Sequence, residues 1–190
     1  MIDAIAGLAT SFGLSSSAGL NAYLPLLIVA LVARFTDWLT LNEPWSALTN
    51  GWVIALLAVL LVVEVVADKI PAVDHANDVI HTFIRPAAGA ILFAASSNVV
   101  ADVHPVLAMA CGVVVAGGVH AVKATARPVV TATTAGVGNP IVSTIEDVVA
   151  ALIALLSILI PTLIALFLLL LFVVMASWYW RRRRSRLMRA

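Results

Sequence analysis

Four carboxylates in one stretch are the first residues whose spacing suggests chemistry. Glu64 and Asp68 stand four apart, as do Asp74 and Asp78. On a helix each pair shares a face. Like charges held that close compete for the same proton or cation, which suits a relay. Glu64 is the sharpest case, because Val62, Val63, Val65 and Val66 flank it inside an apolar run. Lys69 and His75 are at hand to neutralise part of this charge. For Asp74 and Asp78 a solvated helix end with capping roles explains the pattern as well. Arg85-Pro86 and Arg127-Pro128 form a second pair, each at the mouth of an apolar or interrupted segment. An arginine there can close an ion pair with the acidic set, clamp a carboxylate or phosphate in two-pronged fashion, or snorkel to an interface. Arg127, Asn139, Glu146 and Asp147 make the densest local cluster.

Two polar interruptions echo each other. Ser16-Ser17-Ala18-Gly19-Leu20-Asn21-Ala22 and Thr133-Thr134-Ala135-Gly136-Val137-Gly138-Asn139-Pro140 both read hydroxyl, hydroxyl, Ala, Gly, then Asn. Paired Gly/Pro interruptions of apolar segments point to a site between structural repeats, where broken helices offer free backbone groups to an ion or polar solute. Small residues also permit close helix packing, which explains the same composition without a site. Signatures of catalysis and cofactors are thin. His75, His81, His104 and His120 lack metal-ligand spacing, no serine sits in a GxSxG turn, and Gly136-Val137-Gly138 is not followed by the GK[ST] of a phosphate loop. Asp78 and His81 could form a ligand pair, although an interfacial histidine with ordinary partners is the plainer reading.

The elements that must position these groups follow from composition. Of 190 residues, 63% are hydrophobic and 11% charged, against about 45–50% and about 25% in soluble domains. The apolar residues lie in long runs, as membrane spans require. Six of the eleven basic residues fall in 181–190, so the remaining body carries five basic against ten acidic residues. Trp178-Tyr179-Trp180 directly precedes the arginines, which reads as an aromatic belt and a cytoplasmic anchor rather than a nucleic-acid patch. The division is therefore a transmembrane domain, 1–180, and a basic cytoplasmic tail, 181–190. Cys111 is the only cysteine, which excludes an intrachain disulfide, and it is expected to pack as a small hydrophobe. The first residues carry Asp3 and lack a basic region, unlike a cleaved signal peptide.

The expected architecture is an all-α, polytopic transmembrane bundle of about five or six segments, some broken or re-entrant. The paired interruptions suggest an internal pseudo-repeat. Residues 4–34 are too long for one span of about 30 Å and are expected to break at the Ser/Gly cluster. Residues 35–51 read as an interfacial loop, 52–67 as a span, and 68–81 as a polar connection with helical spacing. Further spans are expected at 82–100 and 105–122. Residues 123–147 are too polar for lipid and too apolar for a loop, so a re-entrant or broken helix fits. Whether 128–145 cross or turn back stays open. The last span, 148–177, is nearly all aliphatic, with Pro161 as a kink site.

Ser17 to Pro25 (SAGLNAYLP), Ala67 to Asp74 (ADKIPAVD) with Asp78, Pro86-Ala87-Ala88, and Gly138-Asn139-Pro140 with Ser143 and Glu146 together resemble a bacterial integral membrane family known only as a domain of unknown function. The resemblance covers most of the chain up to about residue 160 and implies membrane residence. It supplies no substrate or reaction.

The function expected from the residues is a small transporter or translocase of the bacterial cytoplasmic membrane, with a cytoplasmic C-terminus. Glu64 and Glu146 would handle a proton or cation. Asn21, Asn139 and the arginines would bind a polar or anionic solute between broken segments. Asp68, Asp74, Asp78 and Asp147 complete the candidate set, with no cofactor required. So short a chain suggests a homodimer around the pathway. The alternatives are an enzyme acting on lipid headgroups through Asp74, Asp78 and His81, with or without a metal, and a non-catalytic assembly subunit.

Overall fold

A computed structural model describes residues 2–69, 71–97 and 103–160; of residues 2–5, 71–76 and 78 it describes the backbone only. The sequence expectations for the 148–177 span beyond residue 160, and for the basic tail, lie outside the described residues. Residues 1–158 form one compact unit, and the second unit, residues 159–190, falls among the described residues only at 159 and 160.

Six α-helices carry the fold: α1 (Ile2–Leu20), α2 (Tyr23–Phe35), α3 (Gly51–Ala67), α4 (Pro71–Ser97), α5 (Pro105–Thr134) and α6 (Asn139–Ile160). A 3-10 turn, Trp45–Thr49, sits in the α2–α3 loop. Among the described residues no strand occurs. Val79–Ser97 of α4, all of α5 and all of α6 are long and apolar enough to cross a membrane, while α2 and α3 are shorter apolar helices. Their outer faces are aliphatic: Val114 and Val122 on α5, Ile141 and Leu152 on α6, and Val59 and Val62 on α3 are all exposed. Apolar outside and polar inside is the arrangement that lipid favours.

The first helix departs from the expectation of a break at its Ser/Gly cluster. Ser15, Ser16, Ser17 and Gly19 are helical, and the interruption comes at Asn21 and Ala22. The serines stay helical because their hydroxyls serve as clamps between helices. Ser15 Oγ donates to the Gly89 carbonyl at 2.8 Å, Ser17 Oγ to the Ala150 carbonyl at 2.7 Å, and Thr10 Oγ1 to the Ser157 carbonyl at 2.8 Å. Bonds of this kind contribute on the order of 0.6 kcal/mol each in a membrane bundle. The pairings 15 with 89 and 11 with 96 make α1 and α4 antiparallel, and 10 with 157 and 17 with 150 make α1 and α6 antiparallel. The break itself is held by Asn21, whose Oδ1 accepts from the Leu24 amide at 2.9 Å. Pro25, in the first turn of α2, has no N–H to lose there.

The helical spacing of the 68–81 connection becomes helix from Pro71 onward. Pro71 opens α4, which runs unbroken through Pro86 to Ser97 over 27 residues. The α4–α5 seam is built on small residues: a side chain at Gly112 would meet the Gly89 carbonyl and lie 2.7 Å from the Ala90 Cα. Gly19 likewise brings α1 against the Ala116 carbonyl of α5. Cys111, on the neighbouring face of α5, is exposed rather than packed, because the buried stripe runs through Ala108, Gly112 and Ala116.

The third correction concerns 123–147. Lys123, Arg127 and Pro128 lie in continuous helix, and the interruption shrinks to Ala135–Gly138. Ala135 and Gly136 both adopt positive φ, 51° and 84°. The Gly136 amide bonds the Thr131 carbonyl at 3.1 Å, which closes α5 in a Schellman manner. Thr134 Oγ1 then accepts from the Gly138 amide, and α6 starts at Asn139. Ion pairs between 127 and 146 and hydrogen bonds between 131 and 139 make α5 and α6 antiparallel, so the chain turns back at this point. The 135–138 turn and the α3–α4 junction therefore share one end of the bundle.

Candidate functional site

Glu64 points inward although it is embedded in an apolar helix. Val62, Val63 and Val66 face outward, whereas Glu64 is 1% exposed. Its Oε1 lies 3.2 Å from Arg85 Nη2 and 3.3 Å from His81 Nδ1, and it accepts from the Ala22 amide at 3.4 Å. The other oxygen, Oε2, is buried without a hydrogen-bond partner. The His81 contact is close but poorly aligned for a hydrogen bond. The Tyr23 ring packs edge-on against His81, with centroids 5.8 Å apart.

Asp68, one turn later, faces the same interior. Its Oδ1 accepts from Asn77 at 2.7 Å, and its Oδ2 lies 3.4 Å from Arg127 Nη2, 3.6 Å from Lys123 Nζ and 3.8 Å from Arg85 Nη2. Glu146 Oε2 bridges two of these cations, at 2.9 Å from Lys123 and 3.2 Å from Arg127. Arg85 Nη1 contacts His120 Nδ1 at 2.9 Å, and His120 Nε2 contacts Thr82 at 3.2 Å. Lys123 also donates to the Leu20 carbonyl at the end of α1.

Among the described side chains, Glu64, Asp68 and Glu146 thus pair with Arg85, Lys123 and Arg127. Each ion alone would be expensive to bury, and mutual pairing offsets that cost only while the set is complete. A second, more accessible pair lies beside it. Asp147 accepts from Asn21 Nδ2 at 2.9 Å and faces Lys69 at 3.9 Å.

The structure therefore gathers Glu64, Asp68, Arg85, Arg127 and Glu146 into one network, with Asn21 and Asp147 joined to each other at its edge. Asn139 does not meet Asn21. Its amide group exchanges hydrogen bonds with Thr131 on its own hairpin, so the two echoing segments close at the same end of the bundle through different contacts. The side chains of Asp74 and Asp78 lie outside the described residues. Among the described residues no group of three or more His, Cys, Asp or Glu side chains is placed to hold a metal.

Sequence reasoning gave Lys123 no role and left His120 aside. The signal was present: Ala108, Gly112, Ala116, His120, Lys123 and Arg127 recur every three or four residues, one face of α5. Ser143 was read only as part of a motif. It is fully buried, and its hydroxyl has no hydrogen-bond partner.

Described residues that are helical throughout the bundle, with three helices among them long and apolar enough to cross a membrane around a network of ion pairs, define a helical membrane protein. The chain belongs to the family described as Domain of unknown function (DUF4126), whose model matches residues 8–182. Neither the curated proteins nor the solved structures contain a match to it.

Proposed function

We propose that the protein is a small transporter or translocase of the bacterial cytoplasmic membrane, in which the Glu64–Arg85 network couples movement of a polar or anionic solute to a proton or cation. The observation that carries this reading is Glu64: a carboxylate 1% exposed, with one oxygen shared by three neighbours and the other without a partner. Ionisable groups held inside membrane helices are costly and mark ion or substrate pathways. An oxygen with no partner leaves room for a proton or a cation to bind without breaking an existing bond.

Purified protein reconstituted into vesicles loaded with a pH-reporting dye tests the proposal. An imposed proton gradient should collapse faster through wild-type protein than through Glu64→Gln or Glu146→Gln protein inserted at equal density. Equal rates for wild type and both variants would sink it.

A further inference from the structure

The network holds two buried histidines, His81 and His120, and their ring nitrogens are used differently. His120 is engaged at both. Arg85 Nη1 meets its Nδ1 at 2.9 Å, and Thr82 Oγ1 meets its Nε2 at 3.2 Å. A guanidinium only donates, so Nδ1 accepts and the ring keeps its hydrogen on Nε2, toward Thr82. That ring is held neutral in one tautomer. His81 is as deeply buried, yet its Nδ1 makes no hydrogen bond. The nitrogen lies 3.3 Å from Glu64 Oε1 but out of line, and Glu64 Oε2 is also buried without a partner. A buried polar atom left unpaired is costly, and here two such atoms belong to side chains in contact. One hydrogen shared between them satisfies both.

We infer that the coupling ion is the proton, and that His81 hands it to and from Glu64. The inference rests on the transport reading above and names the ion and the residue that delivers it. A proton from water adds to Nε2 of a neutral His81 ring that carries its hydrogen on Nδ1. The Nδ1 hydrogen of the resulting imidazolium passes to Glu64, leaving a neutral carboxylic acid and a neutral ring with its hydrogen on Nε2. Release runs the same steps in reverse. Histidine suits this because its two nitrogens take up and give off a proton on opposite sides of one ring. His81 is also the less enclosed partner, its side chain 3% exposed against 0% for Glu64. The contacts favour a proton over a metal ion. Glu64 Oε1 faces nitrogens of Arg85, His81 and Ala22, whereas a hard cation takes about six oxygen ligands. A proton needs one lone pair, which Oε2 supplies. Among the described side chains, the charged and titratable groups around this pair are Tyr23 of α2, Asp68 of α3, Arg85 of α4, and His120 and Lys123 of α5, with Glu146 of α6 held by Lys123.

The test follows Glu64 itself, by time-resolved infrared spectroscopy of full-length protein in a supported bilayer after a jump to acid pH. A carboxylic C=O band should appear in wild type and be missing in Glu64→Gln. In His81→Asn the same band should rise at least about tenfold more slowly, the loss expected when a positioned proton carrier is removed. Asparagine keeps an N–H donor near the place of Nδ1 and carries no proton, so a histidine that only packs and bonds predicts an unchanged rate. Thermal unfolding checks the fold, and His81→Gln replaces His81→Asn should the latter not fold. Wild-type vesicles supply a measurement that needs no variant: proton flux should persist when sodium and potassium are replaced by choline. An unchanged rise of the band in a folded His81 variant overturns the inference, as does the lack of a Glu64 band in wild type. Flux that depends on Glu64 but requires sodium or potassium removes the inference and leaves the transport reading. Slowed protonation of Glu64 in His81→Asn, without vesicle flux of any kind, removes the transport reading and leaves the proton transfer.

Discussion

Replacing Arg85 by Leu isolates the electrostatic logic of the network. Arg85 is fully buried, lies 3.2 Å from Glu64 and 3.8 Å from Asp68, and contacts His120 at 2.9 Å. Its loss takes from Glu64 its nearest described positive charge and from Asp68 one of its cationic neighbours. Removing one partner of a buried pair typically costs about 3–5 kcal/mol, most of it the burial of the charge left behind. Glu64→Leu should cost about 3 kcal/mol, because Arg85 keeps Asp68 and His120. Removing both takes away one charge of each sign, and the Glu64→Leu/Arg85→Leu protein should lie within about 2 kcal/mol of wild type. The coupling is therefore expected to be about 4 kcal/mol or more. Unfolding in mixed micelles of increasing SDS fraction, followed by far-ultraviolet circular dichroism, measures all four corners of the cycle. A double variant destabilised by the sum of the singles would refute the reasoning, as would an Arg85→Leu protein within 1 kcal/mol of wild type.

Other outcomes follow from the packing. Gly112→Ala drives a methyl group into the Gly89 carbonyl and should cost about 1–3 kcal/mol in the same assay. Ala135→Gly relieves a positive φ of 51° and should stabilise by about 1 kcal/mol. A spin label at the exposed Cys111 should relax faster with oxygen, which partitions into lipid, than with a water-soluble nickel chelate; the reverse order would place that face of α5 against water.

Much of this arrangement is legible in the sequence because membrane helices obey simple rules. Hydropathy alone delimits α3 and most of α4 and α5, and a glutamate among four valines announces an inward-facing charge. The positions of the breaks are not legible, since a serine-rich stretch reads as an interruption unless its hydroxyls find carbonyls on other helices. Only the three-dimensional pairing of Ser15 with Gly89 and Ser17 with Ala150 decides that. Lys123 and Arg127 look like the start of a broken or re-entrant segment for the same reason, until Asp68 and Glu146 arrive from α3 and α6 to pair with them. Ser143 illustrates the limit of pattern reading. Nothing in its neighbours distinguishes an idle hydroxyl from a bonded one.

The central claim, that the buried network does the work of transport and is more than a clamp between helices, is tested most directly in the charge-neutral double variant. Glu64→Leu/Arg85→Leu protein should fold and reconstitute at wild-type density, yet its vesicles should hold an imposed proton gradient as protein-free vesicles do. Dissipation of that gradient at the wild-type rate would show that the network is structural alone and would contradict the account.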